Sequence, residues 1–379
     1  MKKWAGFFIL AASCLSAANQ STIPVVDMQD FYDEERHEIF MEELSGALRK
    51  YGFFAVKNSD INIEVVKQAF EAMIDFCALD PEVKMLYDAS STNGQRGYVA
   101  LRKEVAKGSL YPDLKEFYHV AAEREEEQYE RLGYLKNVWP NECDFQRPVL
   151  AYINELDRYR KPLERAFSEL LGQEKQFITN MTDEGDSLMR LIHYPAPNQK
   201  DPNDQAIWAQ EHTDIDMYTI LPPATADGLE VQLENGEWIA VHVPDDTFIV
   251  NMGDFFQNLS NGYFRSGPHR VKSPLGQNHE RYSIVYFVHP RSLDKMDPLP
   301  HMIEKTGGQK LFADATRIEL LMERLADLNL ASYDMLEDLA DSKIIERLIE
   351  VNRASPDAMN RLKENGLASQ AVLDALAGK

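Results

Sequence analysis

The sequence has little cysteine, a deficit of positive charge and no long apolar run, and each scarcity removes a class of function. Three cysteines in 379 residues are too few for a disulfide framework. Cys77 and Cys143 stand in unrelated contexts without the paired spacing of a zinc site, so both read as buried thiols. With 40 Lys+Arg against 62 Asp+Glu the formal charge is −22, which repels polyanions and argues against nucleic acid or an anionic membrane surface as partner. The apolar stretch from Trp4 to Leu15 falls short of the ~18 residues that a spanning helix needs, so no integral membrane segment is expected. What is present is ample core material, 44% hydrophobic residues, which points to a folded globular protein.

The N-terminus, MKKWAGFFILAASCLSAANQ, carries two lysines, then the apolar stretch, then Ser16, Ala17 and Ala18. That is the layout of a secretory leader over residues 1–18, cleaved after Ala18. It predicts export to a periplasm or the exterior, with a cytoplasmic location as the alternative if the segment is retained. Cys14 has a faint likeness to a lipoprotein cleavage site, but Ala11 stands where a leucine is usual.

Along the chain, TIPVVDMQDF reads as a short strand and turn, Glu34 to Tyr51 as a helix on the spacing of Ile39, Leu44 and Leu48, and YGFFAVKN, residues 51–58, as a strand. A further helix is expected from Ile63 to Ala78 and another opening near Pro148. From Ser187 the texture changes to short apolar runs separated by Gly, Pro, Asn and Asp, the pattern of a β-sandwich or barrel. Histidines and an aspartate spread over such strands suit a jelly roll with a site in its mouth. Beyond about Ala313 the chain is helical again, with Ser332, Asp341 and Ser355 as expected N-caps.

One stretch concentrates ligand chemistry. EHTDIDMYTIL, residues 211–221, offers His212 with two carboxylates, Asp214 and Asp216, on the same face if the strand continues. A third ligand must come from elsewhere, and His242, His269, His279 and His289 are the candidates. Spacing alone leaves both the carboxylate and the second histidine open. Arg281 and Ser283 share a strand face twelve residues after His269, where a guanidinium could grip a carboxylate with two parallel hydrogen bonds.

Taken in order, EHTDIDMYTILPPATADGLEVQ, NMGDFFQNLSNGYFRSGPHRV and RYSIVYFVHP resemble the isopenicillin N synthase-like family of non-haem Fe(II) and 2-oxoglutarate-dependent oxygenases. IPVVDMQDF, YGFFAVKN, QRGYVALRKE and PDLKEFYHV resemble that family's amino-terminal region. The resemblance covers about residues 22–328. It implies a mainly β fold with flanking helices: a double-stranded β-helix (jelly-roll) core at 146–310, a helical N-terminal dioxygenase region at 22–145, and a C-terminal helical extension at 311–379. It implies that His212, Asp214 and His269 bind iron, 54 residues lying between Asp214 and His269, and that Asp216 does not. Two imidazoles and one carboxylate on one face of Fe(II) leave positions for a co-substrate and O₂, although zinc accepts the same donor types.

By the same resemblance Arg281 and Ser283 form the R-x-S pair that anchors the distal carboxylate of 2-oxoglutarate. PLGQN is expected to form a longer hairpin turn before them, and Tyr194 is expected to line the pocket, with Ile192 where the family has asparagine. Arg96 and Tyr98 become candidates for the substrate side. Gly253-Asp254 and Asn261-Gly262 read as turns, and Ser59 replaces a histidine that is structural in the family. The expected activity is oxidation of a small molecule by hydroxylation, desaturation or ring closure. The alternatives are a 2-oxoglutarate-independent oxidase, which would use R-x-S for its substrate's own carboxylate, and a silent binding module. The helices past residue 328 read as a cap over the barrel, or as a dimer or partner surface.

Overall fold

Phe53, Phe54, Ala55 and Val56 are all buried, yet they serve two different cores. Phe54 and Val56 join a large cluster under the helices, whereas Phe53 and Ala55 face a smaller cluster with Ile192, Tyr194, Leu221 and Ile249. Period-two alternation in a strand covered on both sides explains why its sequence is continuously apolar. A second sheet supplies the cover on the inner side.

The computed structural model describes residues 21–92, 94–103, 112–196, 207–273 and 279–378; the leader and PLGQN lie outside them. The strands are β1 (Val25–Asp27), β2 (Phe53–Lys57), β3 (Gly97–Val99), β4 (Glu116–Ala121), β5 (Leu188–Tyr194), β6 (Ala209–His212), β7 (Tyr218–Leu221), β8 (Leu229–Gln232), β9 (Trp238–Ala240), β10 (Phe248–Met252), β11 (His269–Val271) and β12 (Arg281–Val288). They form an eight-stranded sheet in the order β1-β2-β10-β7-β12-β5-β4-β3 and a four-stranded sheet in the order β6-β11-β8-β9. All the pairings are antiparallel except β1 with β2. This is the expected jelly-roll core with flanking helices, and strands from the N-terminal segment extend its larger sheet on both edges.

The helices His37–Lys50, Ile63–Cys77 and Gln146–Leu170 stand where their apolar periodicity places them, and they bury Phe40, Leu44, Met73, Phe76, Leu156 and Phe167 against the outer face of the large sheet. At the C-terminus Arg317–Asp327 is followed by Tyr333–Ser342, Ile344–Glu350, Pro356–Glu364 and Gln370–Leu376. Their Leu336, Leu339, Ile345, Leu348 and Leu362 belong to the same core as the barrel. Ser332 and Ser355 cap helices as expected. Asp341 does not: it lies inside Tyr333–Ser342, and the break comes at Lys343, whose left-handed φ of 60° ends one helix and begins the next. Cys77 and Cys143 are unpaired and only half-buried. Among the described residues no helix is long and apolar enough to cross a membrane.

Candidate active site

His212 ends β6 and His269 begins β11, and antiparallel pairing sets these two residues directly opposite each other. Their rings lie 4.3 Å apart. Asp214 does not share a strand face with His212, because β6 stops at His212 and the chain turns; its carboxylate arrives from the loop. There Oδ1 sits 3.7 Å from Nε2 of His212 and 3.7 Å from Nε2 of His269. These separations are too long for hydrogen bonds and short enough for one ion with bonds of about 2.1 Å to bridge.

The outward-facing atoms of all three residues are already satisfied. Nδ1 of His212 donates to the Gln210 carbonyl at 2.7 Å, and Nδ1 of His269 to that of Gly267 at 3.1 Å, so each ring presents its Nε2 lone pair inward. Oδ2 of Asp214 accepts from Thr219 Oγ1 at 2.7 Å and Asn251 Nδ2 at 2.9 Å. Burial alone would raise the Asp214 pKa, but the two histidines and these hydrogen bonds hold it below the usual carboxylate range. His212 is displaced downward by desolvation and then by His269, even though the edge of its side chain is 39% exposed. A neutral imidazole is the ligand form.

Asp216 is buried and does not line the cavity that holds Asp214. Thr219 Oγ1 lies 2.7 Å from Oδ2 of Asp216 as well as from Oδ2 of Asp214, and one hydroxyl carries only one proton. Burial, then the Asp214 charge, push the Asp216 carboxyl well above its usual range. A neutral Asp216 donating to Thr219, which in turn donates to Asp214, satisfies both contacts.

His212, Asp214, His269, Arg281, Ser283 and Tyr194 all line one cavity between the two sheets, walled by Leu221, Leu229, Val271 and Val285. Arg281 pairs across the ladder with Tyr194, and its guanidinium lies 5.1 Å from the Tyr194 ring centre. Nε donates to the Ala226 carbonyl at 3.0 Å, while Nη1 is buried with no partner among the described residues. Burial pushes this guanidinium below the usual arginine range. A carboxylate in the cavity would supply the missing acceptor.

The other histidines stand apart from this group. His242 is about half exposed, 3.5 Å from Asp227, His279 is exposed, and half-buried His289 bonds to the Asp186 carbonyl at 3.0 Å. Arg96 and Tyr98 do not line the cavity either. Arg96 is buried in an ion pair with Asp186 at 2.5 Å, and the Tyr98 hydroxyl donates to Glu116.

Residues the sequence reading passed over also line the cavity. Lys115 does so with its ammonium 2.8 Å from Asp113. Arg190 does so too, its Nε donating to His119 Nε2 at 2.6 Å. A signal for Arg190 was available, since residues 190, 192 and 194 share one face of β5.

Comparison with known proteins agrees with this geometry. Residues 23–142 match the profile described as the N-terminal region of a non-haem dioxygenase in morphine synthesis, and residues 185–290 match that of the 2OG-Fe(II) oxygenase superfamily. The chain is 30% identical over 277 residues to the 2-oxoglutarate-dependent dioxygenase thnC of Trichoderma harzianum, covering 71% of this chain and 84% of that one. Its fold matches a 2OG-Fe(II) oxygenase family protein from Caulobacter crescentus with a TM-score of 0.72 and 30% identity, over 81% of this chain and 99% of the other. It also matches a full-length Neurospora crassa protein in complex with alpha-KG, with a TM-score of 0.71 and 28% identity, over 80% and 96% of the two chains. A jelly roll with two histidines and an aspartate converging beside a buried arginine thus accompanies sequence kinship over most of the chain, and this protein belongs to the 2OG-Fe(II) oxygenase superfamily.

Proposed function

We propose that this dioxygenase holds Fe(II) on His212, Asp214 and His269, grips the distal carboxylate of 2-oxoglutarate with Arg281, Ser283 and Tyr194, and oxidises a small molecule by hydroxylation, desaturation or ring closure. The observation that carries the assignment is Nη1 of Arg281, a buried donor without an acceptor among the described residues, in the cavity where three inward-facing ligand atoms converge. When bound, the iron supplies the O₂ chemistry that couples decarboxylation of 2-oxoglutarate, giving succinate and CO₂, to oxidation of a substrate C–H bond.

The chain's own residues do the holding and positioning. Backbone carbonyls fix both imidazole tautomers, and Thr219 with Asn251 keeps Oδ1 of Asp214 turned inward. Arg281 and Ser283 would hold the co-substrate's carboxylate, and the walls formed by Leu221, Leu229, Val271 and Val285 would exclude water.

Protein mixed anaerobically with Fe(II) and 2-oxoglutarate should develop the weak visible charge-transfer band of the chelate, and Arg281→Ala should weaken it. Absence of the band in the intact protein, or a band unchanged in the variant, contradicts the assignment. The leader, supported by its two lysines, apolar stretch and small residues, is proposed to direct export and to be removed after Ala18. Retention of Met1 on the mature protein contradicts that.

A further inference from the structure

The loop from Thr213 to Met217 carries Asp214 but belongs to no strand, so its carbonyls need partners elsewhere. They find them at the start of the short helix Asp254–Leu259 that follows β10, with Gly253 as its N-cap. The Gly253 N–H donates to the Met217 carbonyl at 3.2 Å, that of Asp254 to Asp214 at 2.8 Å, and that of Phe255 to Asp216 at 3.0 Å. The approach is too close for any side chain at position 253, where a Cβ would sit 1.9 Å from Oδ1 of Asp216 and 2.2 Å from its carbonyl oxygen. Gly253-Asp254, a turn by its sequence, instead opens the helix Asp254–Leu259 and forms a docking edge for the ligand-bearing loop.

That edge is held in turn from the C-terminal helices. Arg324, on Arg317–Asp327, places Nη2 2.5 Å from Oδ2 of Asp254 and donates from Nη1 to the Thr213 carbonyl at 3.3 Å. Thr213 Oγ1 donates to the same Asp254 oxygen at 3.2 Å. One guanidinium thus spans both halves of the clamp, and both partners are largely shielded, at 24% and 18% side-chain exposure. The helix that carries Arg324 is itself tied down beside it, where Ser355 donates to Asp327; the Arg347–Glu319 pair, at 2.5 Å, lies at its opposite end.

We infer that Arg324 is a positioning residue that locks Asp254 against the Thr213–Met217 loop and so sets the affinity of the triad for iron from outside the cavity. The inference rests on the proposed assignment of His212, Asp214 and His269 as iron ligands. Removing a group that orients a ligand costs about 10–100-fold in metal affinity, and the lower end of that range is expected for a clamp acting through backbone.

The test is anaerobic titration of the full chain with Fe(II) at saturating 2-oxoglutarate, read by the charge-transfer band, together with melting of the metal-free protein. Arg324→Gln and Asp254→Asn should each raise the apparent Fe(II) Kd about ten-fold, and the double variant should lose no more than either single. Arg324→Lys should recover part of the loss. Arg347→Gln, which breaks an ion pair of the same helices without touching the loop, should lower Tm and leave the iron Kd unchanged. An unchanged Kd in Arg324→Gln, losses that add in the double variant, or an equal loss in Arg347→Gln overturns the inference. Should Arg324→Gln fail to fold, Arg324→Lys and Asp254→Asn carry the same comparison. Absence of the band in the unaltered protein would count against the iron assignment itself, which keeps the two failures distinct.

Discussion

Two groups of three potential metal ligands lie within 4.8 Å among the described residues, His212 with Asp214 and His269, and Cys77 with Glu116 and His193. Their residue types are similar, but the state of their donor atoms is opposite. In the second group Glu116 Oε1 is 2.8 Å from Nδ1 of His193, and Oε2 accepts from Lys84 Nζ at 2.8 Å and from Tyr98. His193 Nε2 reaches Glu280 at 3.1 Å, and burial pushes the Cys77 thiol far up. A lysine ammonium already occupies the place of a cation. In the first group the outer atoms are bonded and the inner ones face one another unbonded. Proximity of ligand types does not make a metal site; donors left unsatisfied and convergent do.

The strongest way to break this contrast is His269→Ala, which should abolish the charge-transfer band and turnover while the apoprotein melts near wild type; a band that survives would dissolve the distinction. Glu116→Ala should do the reverse. It strands Lys84 as a buried charge, which costs about 3–5 kcal/mol in denaturant unfolding, with Fe(II) affinity unchanged. Weaker iron binding in that variant would mean the two groups are linked.

Acid should expose the same difference. Burial alone would raise the Glu116 pKa, yet hydrogen bonds from His193, Lys84 and Tyr98 hold it down to about 2 against an ordinary 4.5. A depressed carboxyl stabilises the fold above its unfolded pKa, and that contribution is lost as pH falls from about 4.5 towards 2. Tm measured across that window should therefore fall, and Glu116→Gln should flatten the slope.

Smaller effects sharpen the picture within the first group. Thr219→Val removes one of two hydrogen bonds to Asp214 and should weaken Fe(II) binding about ten-fold. Asp216→Asn should change it little, because an amide can donate to Thr219 in place of a neutral carboxyl. A large loss in Asp216→Asn would show that the carboxyl is charged.

Much of this site was legible in the sequence, and what was not has a physical reason. H-x-D and R-x-S place four residues by local spacing, and resemblance selects His269 and Asp214. The selection becomes physical only through the opposition of His212 and His269 across β6 and β11, a register set by contacts distant in sequence. Arg96 and Tyr98 read as substrate-side because their motif matches, but their partners, Asp186 and Glu116, come from other segments. Asp341 looked like a cap because Asp is a good one, whereas the break falls two residues later at Lys343. Arg324 offers no local signal at all, since its partners Thr213 and Asp254 lie 111 and 70 residues away.

The most direct test of the central claim is succinate. Protein loaded with Fe(II) and given 2-oxoglutarate and O₂ should form succinate, slowly without substrate, and His269→Ala and Arg281→Ala should not. Absence of succinate from the intact protein, or its undiminished formation in both variants, would contradict the assignment of this cavity as a 2-oxoglutarate-dependent oxygenase site.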